Sequence, residues 1–172
     1  MTGINIYNNV FYNNHDGCLV VYGEAGGFTT INFRFINNTL YKNAQSGWTD
    51  IIFGDATGNY QDCIIANNII MPAVYAARPI VNKYPSNGGI TIDHNLFWSG
   101  EGKVYPESTT VPRGTNEIVA DPLLVNPPVD FSIAADSPAK DAGSSAIAQA
   151  TDYAGTIRPQ GPGYDIGAYE IK

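Results

Sequence analysis

Charge is scarce in this chain. Its 9 Lys and Arg and 16 Asp and Glu make up 15% of 172 residues, against roughly 25% in an average soluble domain. The net charge is -7 and no basic run is present, so nothing is built to hold a phosphate backbone and nucleic-acid binding is disfavoured. There are only two cysteines, Cys18 in DGCLVVY and Cys63 in QDCIIAN. Both surroundings are apolar, which reads as a pair of buried thiols; a disulfide or metal pair would need a spacing and further ligands that are not evident. The two histidines, His15 and His94, lie far apart. That excludes HExxH and three-histidine metal sites, and no G-x-S-x-G nucleophile elbow occurs. No stretch approaches the roughly 18 apolar residues of a membrane span. The start, MTGINIYNN, has neither a basic segment nor an apolar run, so no signal peptide is expected in this chain.

What is abundant is Asn, with 17 residues, together with 18 Gly, 11 Pro and 11 Tyr. Asn and Gly favour turns and left-handed backbone and are poor helix formers, so a helical bundle is excluded. The length suits one domain with a real core.

A phrase recurs along the chain: Ile4-Asn5-Ile6-Tyr7-Asn8-Asn9-Val10-Phe11, Phe33-Arg34-Phe35-Ile36-Asn37-Asn38-Thr39-Leu40, Cys63-Ile64-Ile65-Ala66-Asn67-Asn68-Ile69-Ile70, and Ile90-Thr91-Ile92-Asp93-His94-Asn95-Leu96-Phe97. The last Asn of each, at 9, 38, 68 and 95, gives spacings of 29, 30 and 27 residues. Between the phrases lies a second apolar series: Cys18 to Tyr22, Trp48 to Phe53, Pro79 to Asn82 and Glu117 to Ala120. Each repeat therefore holds at least two short strands, which cannot bury an apolar face alone and must stack as a solenoid. A leucine-rich horseshoe needs a shorter, leucine-led repeat, and a propeller blade needs about 40 residues and four strands. Strand, Asn-Asn turn, strand at this period predicts a short right-handed parallel β-helix of four to five coils over residues 1–125.

The asparagines at the bends have a physical task. Asn9, Asn38, Asn68 and Asn95 are expected to form a ladder of side-chain amides from coil to coil, satisfying polar groups that the bend strands. Near residue 98 the pattern changes to Gly, Pro and Thr, which predicts a loop excursion over residues 98–115. Residues 126–172 read as an irregular C-terminal cap, with a short helix expected at 144–150. Nothing comparable precedes Ile4. The first coil is therefore expected to be covered by self-association, as a homodimer or other homo-oligomer, or by another segment.

The Asn-Asn phrases, Asp121-Pro122-Leu123-Leu124, Asp130-Phe131, Ser137-Pro138-Ala139-Lys140-Asp141-Ala142-Gly143, Arg158-Pro159 and Asp165-Ile166-Gly167-Ala168-Tyr169-Glu170 together resemble the C-terminal part of the pectate-lyase-like superfamily of parallel β-helix proteins. That resemblance covers essentially the whole chain. It implies a protein of the kind often secreted or surface-located in bacteria that binds or cuts polysaccharides. Lyases of that superfamily abstract a C5 proton from a uronate with a Lys or Arg, while acidic residues hold calcium against the substrate carboxylate. A bound cation lowers the cost of building negative charge there.

Candidate site residues lie on the second strand series. Asp50 and Asp55, separated by apolar residues expected to face inward, are placed on or beside an outer face, and Asp62 follows. These three are the candidate calcium ligands, though hard cations take about six or seven oxygens and a solvated acid rim is the plainer reading. Lys83 and Arg78 are the candidate proton-abstracting bases. Either would need a lowered pKa, and a solvent-facing Lys or an Arg paired to an acid is the alternative. Sugar rings stack on flat side chains. Tyr22, Trp48 and Tyr84 are the candidate platforms, with Tyr60 and Trp98 also expected outside the core. The functional expectation is carbohydrate binding, with acidic polysaccharides as partners. The alternatives are a non-catalytic interaction module and a calcium-dependent lyase.

Overall fold

The computed structural model describes residues 1–22, 29–46, 49–54, 59–73, 78–82, 88–99, 111 and 114–172; within 78–82 only the side chains of Pro79 and Ile80 are described. These residues form an all-β structure, with no helix among them. Strands β1 (Asn5–Tyr7), β5 (Arg34–Ile36), β9 (Cys63–Ala66) and β12 (Ile90–Asp93) pair in that order as one parallel sheet. A second parallel sheet runs β2 (Val10–Tyr12), β6 (Thr39–Tyr41), β10 (Ile69–Met71), β13 (Leu96–Phe97) and β14 (Ile118–Val119). The third runs β3 (Leu19–Val21), β7 (Thr49–Phe53) and β11 (Arg78–Asn82). The chain visits the three sheets in turn and then repeats, which makes a short parallel β-helix of a few coils, as the repeat predicted.

Register reproduces the sequence period. Ile6 lies opposite Phe35, Phe35 opposite Ile65 and Ile65 opposite Ile92. Phe11, Leu40, Ile70, Phe97 and Val119 form a second column. Apart from Val119, these side chains, with Ile51, Phe53 and Ile80 from the third sheet, share one core. Each fully buried aliphatic or aromatic side chain contributes about 1.5–3 kcal/mol, so the columns hold the coils together.

Three elements differ from the sequence reading. A further parallel pair, β4 (Thr29–Ile31) and β8 (Asn59–Gln61), precedes the Asn-Asn phrase in two coils. Its polar Thr and Asn hid it, yet Tyr60 at its centre is buried and meets Phe53 edge-on at 5.1 Å. Tyr60 is thus a core residue and not an outer platform. Glu117 to Ala120 belongs with β13 in the second sheet, opposite Leu96 and Phe97, and not with the third. Residues 144–150 form turn and irregular backbone in place of the expected helix.

The paired asparagines divide the work at the bend. The first residue of each pair, Asn8, Asn37, Asn67 and then His94, takes positive φ between 53° and 55°. Asn accepts that backbone region more readily than most residues. The second residue carries the ladder. Oδ1 of Asn38 accepts from Asn9, Oδ1 of Asn68 from Asn38, and Oδ1 of Asn95 from Asn68, each time from a backbone N–H and a side-chain amide at 2.8–3.1 Å. The left-handed backbone and the amide ladder are therefore supplied by two neighbouring residues.

From Leu124 the chain turns back along the side of the solenoid. β15 (Leu124–Asn126) and β16 (Asp130–Ile133) form an antiparallel hairpin, and Phe131 packs on Tyr12 and Tyr41 of two successive coils. The left-handed asparagines fasten the rest of the C-terminal segment: the amide of Asn8 donates to Thr151 O (2.6 Å), that of Asn37 to Asp165 O (3.2 Å) and that of Asn67 to Ser144 O (3.0 Å). Ile133, Ala139 and Ile166 meet Ile69 and Leu96 in a second apolar cluster. Residues 126–172 therefore cover the flank of several coils, with the bend asparagines as the attachment row. The ordered end of this segment rests on Arg158 and Glu170, whose side chains are fully buried against each other.

Candidate functional site

The third sheet was the expected seat of function, and the structure places its residues unevenly. Tyr22 directly follows β3 and is 63% exposed. Its ring lies over Gly54, where an added Cβ would stand 3.2 Å from Tyr22 Cδ2. Val20, two residues earlier on β3 and hence on the same face, is exposed as well. Before it, Asp16, Gly17, Cys18, Leu19 and Val20 line a pocket of about 500 Å³. Leu19 and Val20 give it an apolar wall and Asp16 an anionic edge. Asp16 accepts from or shares a proton with His15 Nδ1 at 2.9 Å, and that hydrogen bond is the main cause holding its carboxyl below the usual range. Gly17 is required by geometry: with φ of 132°, its α-carbon passes so close to the backbone of β7 that a Cβ would sit 2.4 Å from Thr49 O. That close approach brings the pocket strand onto β7.

Asp50 is the largest departure from expectation. The carboxylate expected on or beside an outer face is fully buried. It lies in β7, between β3 and β11, and all five residues of that strand are buried. Among the described residues, neither of its oxygens has a hydrogen-bond partner. Desolvation therefore drives its pKa up from 3.8 to about 7, with the nearby Asn43 amide offsetting only part of the rise. Behind the pocket, the thiol of Cys18 donates to Asp50 O across 3.3 Å. Burial pushes the Cys18 thiol well above its usual pKa, and the neighbouring Asp50 adds to the effect. Both cysteines are free thiols, as expected.

Asp62 lies elsewhere, at the bend between β8 and β9, where Arg34 Nη2 donates to its Oδ2 at 2.7 Å and Arg34 Nη1 to its carbonyl. The two described members of the candidate calcium set thus lie apart, one buried within β7, the other exposed at a bend and neutralised by an arginine. Asp55 lies outside the described residues, as do Trp48, Lys83 and Tyr84. Arg78 opens β11 opposite Thr49, which puts its backbone beside β7; its side chain is not described. Among the described residues, no group of three or more His, Cys, Asp or Glu is placed to hold a metal ion. Trp98 is half-buried against the second apolar cluster.

Two features escaped the sequence reading. The pocket before β3 depends on a strand contact that no local pattern announces. A second amide step, in which Asn14 donates its N–H and its side-chain amide to Oδ1 of Asn43 at 3.1 and 2.9 Å, did leave a signal: Asn14 and Asn43 each follow a ladder Asn by five residues.

Compared with protein-family models, curated proteins and solved structures, the chain matches none of them. The class is therefore defined by the fold itself: a short parallel β-helix with its C-terminal segment fastened along one flank.

Proposed function

We infer that this protein binds carbohydrate on the outer side of the β3–β7–β11 sheet, with Tyr22 as a stacking platform and Asp16 accepting from sugar hydroxyls at the edge of the neighbouring pocket. The observation that supports this reading is the placement of Tyr22. Its flat ring stands open to solvent beside a pocket with an apolar wall, whereas the aromatics Phe33, Phe35, Phe53 and Tyr60 are packed inside. An aromatic face next to a hydroxyl acceptor suits a sugar ring, which has apolar faces and a polar rim. Parallel β-helices offer such faces along a rigid sheet, and the resemblance to pectate-lyase-like proteins points the same way.

The net charge of -7 opposes a polyanionic ligand unless a cation intervenes. Binding to polyuronates is therefore expected to need calcium, and binding to a neutral glucan is not. Affinity electrophoresis through gels containing polygalacturonate, alginate or a neutral β-glucan, with calcium or with EDTA, tests this. Retardation in at least one polymer, lost in Tyr22→Ala and kept in Tyr153→Ala, is the expected result; unchanged mobility in all of them removes the reading. Ultraviolet absorbance of the same mixtures reports any unsaturated uronate. It separates binding alone from elimination by Lys83 or Arg78.

A further inference from the structure

Eleven of the described residues other than glycine have positive φ. Eight are Asn, Asp or His, the types that accept left-handed backbone most readily, and two are Lys42 and Ala44. The eleventh is Leu123, with φ of 52°. A bulky leucine is out of place in that conformation. Two hydrogen bonds hold it there: Asp121 Oδ1 accepts from the Leu123 N–H, and Leu123 O accepts from the Ala134 N–H, both at 2.9 Å. Its side chain does not offset the strain inside the molecule. Leu123 is 36% exposed and belongs to neither apolar cluster, whereas Leu124, next in the chain, packs into the second one. Asn or Gly would make the same bend with less strain.

Leu123 opens a surface that is apolar and acidic. Along β15, Leu124 faces inward, so Val125 faces outward, where it is 55% exposed. Along β16, Phe131 and Ile133 are buried, which places Asp130 and Ser132 on the outer face. Ser132 donates its N–H and its hydroxyl to Asp130 Oδ1 at 2.9 and 2.7 Å, and these bonds hold the carboxyl below its usual pKa. From Gly114 to Ala139 the sequence has Glu117, Asp121, Asp130 and Asp136 and no Lys or Arg. Among the described residues β15 pairs with β16 alone, which leaves it a free edge. Leu124 and Ile133 cluster with Ile69 and Leu96, so this surface stands on the flank of the third and fourth coils.

We propose that the outer face of the β15–β16 hairpin is a docking site for a polypeptide segment in which apolar residues alternate with Lys or Arg, laid along the free edge of β15 with Leu123 and Val125 as its apolar contacts. Strand addition supplies the backbone hydrogen bonds, and alternation puts one kind of side chain on each face. Charge selects the occupant. The carboxylates of Asp121 and Asp130 beside the apolar residues favour a basic segment and oppose anionic lipid headgroups. A second copy meeting hairpin to hairpin sets the same carboxylates against each other.

The test uses the intact chain and a fluorescent nine-residue peptide alternating Val and Lys, read by anisotropy at physiological salt. Leu123→Asn is the informative variant, because Asn keeps the left-handed backbone and removes the apolar contact. Saturable binding is expected, about tenfold weaker in Leu123→Asn and weaker in Val125→Thr, with none to a peptide alternating Val and Glu. The urea midpoint of Leu123→Asn is expected to equal or exceed the parent's. Absence of binding overturns the proposal, as does equal affinity in the parent and both variants, which would reduce the interaction to general attraction between opposite charges. A lower midpoint for Leu123→Asn also overturns it, since the leucine then serves the fold. Self-association in sedimentation velocity that Leu123→Asn abolishes overturns it as well, because the occupant is then a second copy.

Discussion

Arg158 donates to Glu170 across 2.9 Å with both side chains withdrawn from solvent, and together they fasten the C-terminal segment. Arg158 also gives hydrogen bonds to Asp165 O and Gly167 O, while Glu170 accepts from the backbone N–H of Gln160 and Asp165. Removing one partner leaves the other as an uncompensated buried charge. Arg158→Ala is therefore expected to lower stability by about 3–5 kcal/mol, read as a lower urea midpoint. A midpoint within error of the parent's would show that the pair is not what holds this segment.

The ladder predicts a gradient along the solenoid. Asn68 is fully buried, accepts two hydrogen bonds from Asn38, and donates to Phe35 O and to Asn95. Asn68→Ala strands those groups, at about 1–3 kcal/mol for each one left unsatisfied and buried. Asn9, at the half-exposed end, leaves groups that water can reach. The expected order of destabilisation is Asn68→Ala, then Asn38→Ala, then Asn9→Ala by a wide margin, measured by denaturant titration. Equal losses at all three positions would mean that burial does not set the strength of the ladder.

Asp50 makes stability depend on pH. Its carboxyl is raised on folding from 3.8 to about 7, so the folded chain favours the protonated form. The stability this provides is complete below about pH 4 and is lost as pH rises to about 7. Asp50→Asn, which carries no titrating proton, is expected to be more stable than the parent at pH 8 by roughly 4 kcal/mol and close to it at pH 4. Parallel curves for the two proteins between those limits would place the carboxyl in contact with water.

Gly167 stands at a close approach. It has φ of 103°, and an added Cβ would lie 2.7 Å from Ile69 Cδ1 and 3.1 Å from Thr39 Oγ1. Both the backbone conformation and the contact oppose a side chain. Gly167→Ala is expected to cost at least about 1 kcal/mol and to speed amide exchange in residues 139–171 ahead of the coils. Uniform change across the molecule would indicate that flank and solenoid unfold together.

The thiols supply a simple check on the core. Cys18 is raised well above its usual pKa by burial, and Cys63 is raised for the same main reason. Neither is expected to react appreciably with a thiol reagent at pH 8 until denaturant is added. Prompt labelling of Cys18 in the folded protein would show that the pocket before β3 reaches the sulfur.

The solenoid was legible in the residues because its causes are local and repeat. The 29-, 30- and 27-residue spacing is the length of a coil, so Ile6, Phe35, Ile65 and Ile92 were bound to stack once strands paired in register. Asparagine pairs mark bends for conformational reasons that act within a few residues. Which Asn bends and which one forms the ladder was decided only when neighbouring coils met. The burial of Asp50 and Tyr60, the Asp62–Arg34 pairing and the pocket before β3 likewise depend on what packs across the coil. The course of residues 126–172 along the flank follows from attachments to Asn8, Asn37 and Asn67 more than 70 residues away in sequence. Period, turn chemistry and apolar columns are properties of a short stretch of chain. Solvent exposure, pKa and the sense of a hydrogen-bond ladder belong to surfaces assembled from distant ones, and only the tertiary structure determines them.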